Sequence, residues 1–203
     1  MIHEELDPNF GNINPNPTKK DTLLPLINEI KKHNAHLGIA NDPDGDRHII
    51  VDEQGTPLTP EEIAIICLDY LHKHQIALKG IASTVASSSL IKNAMEKLQL
   101  TYLETAVGFK HFASFLEESH TEKKIALAVE SSGGLSASFH TLEKCGFLPG
   151  LLTLFILKST KTPLSTLKKE INKKYGTYHF IEDECHLSQE KMHTIRSILK
   201  DRK

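Results

Sequence analysis

Asn41-Asp42-Pro43-Asp44-Gly45-Asp46-Arg47 stands between two short apolar runs, Leu37-Gly38-Ile39-Ala40 before it and His48-Ile49-Ile50-Val51-Asp52 after it. Both runs read as strands: the β-branched Ile49, Ile50 and Val51 suit a buried pleated surface, and Glu53-Gln54-Gly55 closes the second on a turn. An acidic loop therefore joins two strands. Asp42, Asp44 and Asp46 alternate, with Gly45 permitting a tight turn, so three carboxylates can converge on one hard cation. Magnesium suits such a set, and it would keep waters or recruit a phosphate oxygen to complete its shell. Arg47 is a fixed cation with a bidentate fork, apt for a phosphoryl group held against the metal. The residues alone also allow an acidic β-turn or a partial calcium loop. An EF-hand is disfavoured, because Val51 occupies the position where a bidentate Glu would follow Gly45 and the flanks are strands.

Upstream, Leu23, Leu26, Ile27 and Ile30 recur at helical spacing over residues 23–33, while the prolines and asparagines before them give loop chemistry. A helix feeding a strand suggests a partial α/β unit. Downstream, Thr59-Pro60-Glu61-Glu62 supplies an N-cap, a proline at N1 and two acids in the first turn of a helix through Ile63, Ile66, Cys67, Tyr70 and Leu71. Strands are then expected over 80–85, 101–104 and 124–129, and helices over 88–98 and 108–118. The alternation predicts an α/β domain with a mixed, mostly parallel sheet covered by helices on both faces. Residues 148–157 are almost wholly apolar and read as a buried helix, residues 163–174 as a basic amphipathic helix, and residues 178–185 as the start of a strand.

With 203 residues, 39% of them hydrophobic, the chain can bury one large or two small cores. A formal charge of −2 spread along the chain gives no basic stripe, so nucleic acid is not an expected partner. No run approaches the roughly 20 apolar residues of a membrane helix, and residues 1–11 are polar, so no membrane association and a cytoplasmic location are expected. Cys67, Cys145 and Cys185 lie far apart in no CxxC spacing and read as reduced thiols. The twelve histidines are scattered and read as surface residues.

Taken in order, Asn14-Pro15-Asn16-Pro17, residues 37–47, Gly108-Phe109-Lys110 and Glu130-Ser131-Ser132-Gly133-Gly134 resemble the α-D-phosphohexomutases, the family of phosphoglucomutase and phosphomannomutase. The resemblance runs from the end of that family's second domain through its third. It implies that Asp42, Asp44 and Asp46 hold Mg2+ together with a phosphoserine from the first domain, and that Arg47 stabilises the transferred phosphoryl group. It also implies that Glu130 and Ser132 read sugar hydroxyls, and that Lys144, Lys110 and His140 contact substrate, Lys144 ranking above Lys110. A carboxylate beside a hydroxyl is chemically apt for adjacent hydroxyls of a pyranose.

The implied division is 1–55, the end of domain 2 with the metal loop; 56–162, domain 3 with the sugar loop; and 163–203, a linker helix and the start of a following segment. The implied substrates are glucose 1-phosphate, glucose 6-phosphate or mannose phosphates. No counterpart of the family's Thr-Ala-Ser-His-Asn-Pro type serine motif occurs, so the expected function is that of a Mg-dependent phosphoglucomutase-like fragment, inactive alone, with the missing domains on another chain. The alternatives are a phosphomannomutase, a non-catalytic sugar-phosphate binder or a degenerate remnant. Three positions depart from the family pattern: Ser131 replaces a second acid, Ser138 stands near an expected arginine, and Cys145 replaces an aspartate.

Overall fold

The structure, a computed structural model, describes residues 2–5, 7–179 and 187–200. Helix α1 (Lys20–His33) ends in Lys31, Lys32 and His33, cations that favour a helix C-terminus, and stops at Asn34, whose φ of 48° is left-handed. It packs Leu23 and Ile30 against Ile49 and Val51. Those two residues lie on β2 (His48–Asp52), which pairs antiparallel with β1 (Leu37–Asn41), Asn41 opposite His48. The acidic stretch is thus the loop of a hairpin. A third strand too short to show a period, β3 (Pro57–Leu58), follows a turn in which Asp52 Oδ1 accepts from the amides of Gln54 and Thr56 at 2.9 and 2.8 Å. The partial α/β unit is therefore one helix on an antiparallel sheet of order β1-β2-β3.

Helix α2 (Pro60–Lys73) opens on a full capping box: Thr59 Oγ1 accepts from the Glu62 amide at 3.2 Å, and Glu62 Oε2 accepts from the Thr59 amide at 2.9 Å. The spacing predicts one apolar stripe, yet every residue from Pro60 to Asp69 is buried. The reason is that elements pack on it from several sides, and Ala64, Ile65 and Leu68 fill what would otherwise be a polar face.

The second sheet has the order β5-β4-β6-β7, built from β4 (Leu78–Thr84), β5 (Thr101–Thr105), β6 (Ile125–Val129) and β7 (Leu135–Ala137). The first three are parallel and β7 returns antiparallel to β6, so the sheet is mixed and mostly parallel. Its faces carry different side chains. Ile81, Leu127 and Val129 meet α2 and α3 (Ser89–Leu98), whereas Ala82, Ala126 and Ala128 leave room for Phe109, Phe112, Phe115 and Leu116. The latter belong to a 3₁₀ turn at Phe109–Phe112 and to α4 (Ala113–Thr121), which divide the single helix expected over 108–118.

Residues 148–157, expected as a buried helix, lie in α5 (Phe147–Thr160), which is buried on one side only: Leu148, Gly150, Thr153 and Ile156 face the core while Phe147, Leu151, Leu154 and Phe155 are exposed. Helix α6 (Leu164–Tyr175) sinks Leu164, Ile171 and Tyr175 into the same cluster as α2, where Tyr175 Oη donates to Asp69 Oδ1 at 2.5 Å. Lys73 and Lys174 also pair with Asp69, at 2.9 and 2.7 Å, and these contacts hold its carboxyl below the ordinary range against its burial. Helix α7 (Gln189–Lys200) follows, and most of the strand expected over 178–185 lies outside the described residues. Among those residues no helix is long and apolar enough to cross a membrane.

Thr59→Ala removes one half of the capping box and should lower unfolding stability by about 1 kcal/mol, read from urea denaturation with an unchanged slope.

Candidate active-site loops

The acidic loop is shaped by its first carboxylate. Asp42 Oδ1 accepts from the amides of Asp46 and Arg47 at 3.1 and 3.0 Å, and the Asp42 carbonyl accepts from Gly45 at 3.1 Å. Gly45 sits at a φ of 71°, a conformation that costs glycine little. Asn41 Nδ2 closes the loop by donating to the Arg47 carbonyl at 2.9 Å. One carboxylate oxygen from each of Asp42, Asp44 and Asp46 then lies within 4.8 Å of the others.

Burial raises the pKa of Asp42, and the charges of Asp46 and Asp44 raise it further against the lowering hydrogen bond from Arg47. Arg47 Nε offsets part of that repulsion from 3.5 Å off Asp42 Oδ2 and 3.7 Å off Asp46 Oδ1, and Lys144 Nζ sits 2.8 Å from Asp46 Oδ2. Asp46 Oδ1 and Arg47 Nε are nevertheless buried without a hydrogen bond. A buried oxygen lacking a proton donor beside two further carboxylates is a donor set that a hard divalent cation fits.

The second loop joins β6 to β7. Glu130 accepts through its carbonyl from Gly133 at 3.1 Å and donates its amide to Gly134 at 2.9 Å, with Gly133 at a φ of 112°. Glu130 is 7% exposed, and its Oε1 accepts from the Gly108 amide at 3.1 Å, which draws the Gly108-Phe109-Lys110 segment to the loop. This loop leaves the C-terminal end of β6 beside β4, where the connection from β4 departs toward β5 and that from β6 toward β7. Crevices that accept ligands in α/β sheets form where neighbouring connections part in this way.

The two loops touch. The carbonyl of Gly133 accepts from the His48 amide at 3.0 Å and from His48 Nδ1 at 2.6 Å. A Cβ built at Gly133 would lie 3.0 Å from Arg47 Cβ, so a larger residue there would part the loops. Gly146 makes the other junction: its amide donates to the Gly45 carbonyl at 2.9 Å, and a Cβ there would fall 2.3 Å from the Arg47 carbonyl oxygen.

The structure thus gathers Asp42, Asp44, Asp46, Arg47, Glu130 and Lys144 about one junction, with Ser132 exposed on the second loop. Lys110 and His140 are exposed, and neither side chain makes an ion pair or hydrogen bond among the described residues. Sequence reasoning missed His48, read with the other histidines as a surface residue: it is fully buried. Its place directly after Arg47, at the head of a β-branched run, was the available signal. A groove of about 560 Å³ bounded by His36, Glu53, Leu154 and Lys158 contains none of these residues. Cys67 and Cys145 are free, and burial pushes the Cys67 thiol up to about 12, which makes it inert.

Burial lowers the His48 pKa from 6.5 to about 4 against the raising hydrogen bond to Gly133. The unfolded chain therefore binds the extra proton first: this stability is whole above pH 6.5 and is lost as pH falls towards 4. Denaturation at pH 8, 6 and 4.5 should show a loss whose His48 share approaches about 3 kcal/mol and which shrinks by that share in His48→Gln.

Residues 59–175 match the family described as phosphoglucomutase/phosphomannomutase, alpha/beta/alpha domain III, and residues 1–55 match its domain II. A phosphoglucosamine mutase of Bacillus mycoides is 33% identical over 169 residues, covering 82% of this chain and 36% of that protein. One from an Exiguobacterium species is 34% identical over 147 residues, covering 72% and 32%. The chain spans about a third of the length of the curated relatives it matches. Among solved structures, a Thermus thermophilus protein assigned as a phosphomannomutase superposes with a TM-score of 0.76 at 24% identity, over 85% of this chain and 38% of that one, a likeness of fold. Sequence order, sheet topology and the two matched domains together establish that this chain belongs to the phosphoglucomutase/phosphomannomutase family of α-D-phosphohexomutases.

Proposed function

We propose that the chain supplies the metal-binding and sugar-reading loops of a phosphohexomutase that moves a phosphoryl group within a hexose phosphate. The observation that carries this reading is the seating of the Glu130–Gly134 turn on Arg47 and His48, which sets a carboxylate triad beside a hydroxyl-reading loop. In this reading Asp42, Asp44 and Asp46 hold Mg2+, which when bound draws charge from phosphoryl oxygens. Arg47, fixed by its backbone bond to Asp42, turns its fork to the phosphoryl group and stabilises charge spread over it. Glu130 keeps one carboxylate oxygen for sugar hydroxyls while Gly108 holds the other, and Ser132 adds a second polar contact. Lys144, Lys110 and His140 offer cations or donors to the phosphate and remaining hydroxyls.

The substrate class comprises glucose 1-phosphate, glucose 6-phosphate and mannose phosphates, to which the phosphoglucosamine mutase relatives add phosphorylated glucosamine. None of the serines of these 203 residues stands in the Thr-Ala-Ser-His-Asn-Pro setting that the family resemblance calls for, so the phosphoryl donor comes from a domain outside this sequence. The polypeptide alone then binds without turnover. We place the division between the metal-loop unit and the sugar-loop unit at residues 55 and 56, with α6 packed on the second unit ahead of the segment that follows. A cytoplasmic location accords with phosphorylated sugars and with the free thiols Cys67 and Cys145.

Calorimetric titration with glucose 1,6-bisphosphate should show binding that depends on Mg2+, with Asp44→Asn lowering the cation affinity at least roughly tenfold. Because burial and two like charges hold the Asp42 pKa up, that affinity should fall with decreasing pH from above the usual carboxylate range. A folded chain that binds neither Mg2+ nor the bisphosphate, or one with measurable mutase turnover in the absence of any other polypeptide, contradicts the reading.

A further inference from the structure

Lys144 spans the two loops. Its stem lies over the second, where a Cβ built on Gly134 would approach Lys144 Cδ to 2.9 Å and Lys144 Cβ to 3.0 Å. Its ammonium lies on the first, 2.8 Å from Asp46 Oδ2, with side chains 23% and 27% exposed. Asp46 is one of the three carboxylates whose oxygens lie within 4.8 Å of each other, so the Lys144 ammonium neutralises charge that a divalent cation would also neutralise.

The two cations of the chain at this loop are not equivalent. Arg47 belongs to the loop, its amide bonded to Asp42 and its Nε buried. Lys144 reaches Asp46 from outside, on a flexible four-carbon stem whose ammonium can swing without moving the backbone. A divalent cation sharing Asp46 repels an ammonium at such a distance, and in a half-buried site solvent screens that repulsion only in part.

Building on the proposed function, we infer that Lys144 is an exchangeable counter-ion of the metal loop: the divalent cation displaces its ammonium from Asp46, and the anionic phosphate of the sugar ligand takes it up. Cation and sugar phosphate then bind with positive coupling, and by linkage each tightens the other by the same factor. Gly134 has a part in this: any side chain there would collide with the stem and push it from its place over the loop.

The test is calorimetry on the full chain with Mg2+ alone, glucose 1-phosphate alone, and each in the presence of the other, for wild type, Lys144→Met and Lys144→Gln. Both variants keep much of the stem and remove the charge, and circular dichroism checks that each is folded. The expected result is that both variants bind Mg2+ alone roughly threefold to fivefold more tightly than wild type, bind glucose 1-phosphate more weakly, and show a smaller coupling factor. A lysine that only braces the loops would instead weaken Mg2+ binding when replaced. Unchanged or weaker Mg2+ affinity in both variants, with wild type binding both ligands, overturns the counter-ion role and leaves the proposed site standing. Wild type binding neither ligand removes the site and the counter-ion together.

Discussion

The carbonyl of Gly133 accepts two hydrogen bonds from one residue, the amide and the imidazole Nδ1 of His48, and the geometry of both loops depends on them. The two sheets are separate, so no ladder of backbone bonds carries the register of one into the other. What fixes the acidic loop against the Glu130–Gly134 loop is this pair of hydrogen bonds, and the Gly45–Gly146 bond ties the same acidic loop to the start of α5. Both junctions require glycine. At Gly133 the φ of 112° and the nearness of Arg47 exclude a side chain, and at Gly146 the Arg47 carbonyl occupies the space of a Cβ. The arrangement has a cost: His48 is buried with Nε2 unpartnered, and burial of an unsatisfied nitrogen is destabilising by about 1–3 kcal/mol.

That cost is offset by the packing beneath the junction. Ile50 and Leu58 of the hairpin sheet share one apolar cluster with Ile81, Leu127 and Val129 of the mixed sheet. Helix α2 lies among them, and its run from Ile63 to Leu68 contributes six members of that cluster. Interiors packed at this density resist sliding, so the loops at the rim inherit a fixed separation from the core. Helix α5 joins in from the site side: Gly146 and Phe147 meet the acidic loop, while Gly150 lets Ile39 of β1 lie against the helix. A backbone bonded to the acidic loop thus continues directly into a helix packed on the core.

Much of this was legible in the sequence where one signal dominates. The Thr59-Pro60-Glu61-Glu62 start set α2, and the β-branched run Ile49-Ile50-Val51 set β2. Elements without a period escaped: β3 has two residues and β7 three, too few to alternate, and only their partners define them. Helix α5 misled for the opposite reason, since a sequence apolar on every side says nothing about which side meets the core. Of the candidate site, the carboxylate grouping and the Glu130 turn are legible because each lies within one short stretch. His48 and the Lys144–Asp46 pair join residues roughly 85 and 98 positions apart, and no local pattern encodes such a meeting.

The positions that depart from the family pattern bear on whether the chain is a decayed relative. Ser138 is buried and fully used: its Oγ accepts from the Ala126 amide at 3.0 Å and donates to the Lys124 carbonyl at 3.2 Å, closing the end of β7 on the start of β6. The Cys145 amide donates to the Leu135 carbonyl at 2.9 Å, and its side chain packs against the main cluster. Substitutions accumulating without selection leave cavities and orphaned polar groups at the altered positions. Among the described residues, the side-chain atoms that are buried without a hydrogen bond are Asp46 Oδ1, Arg47 Nε and His48 Nε2, three consecutive residues, and none lies at an altered position. Those unsatisfied groups cluster where a cation and a phosphate are proposed to bind, whereas the residues at 138 and 145 are packed and hydrogen-bonded. On these physical grounds the residues at 138 and 145 are accommodated by the fold.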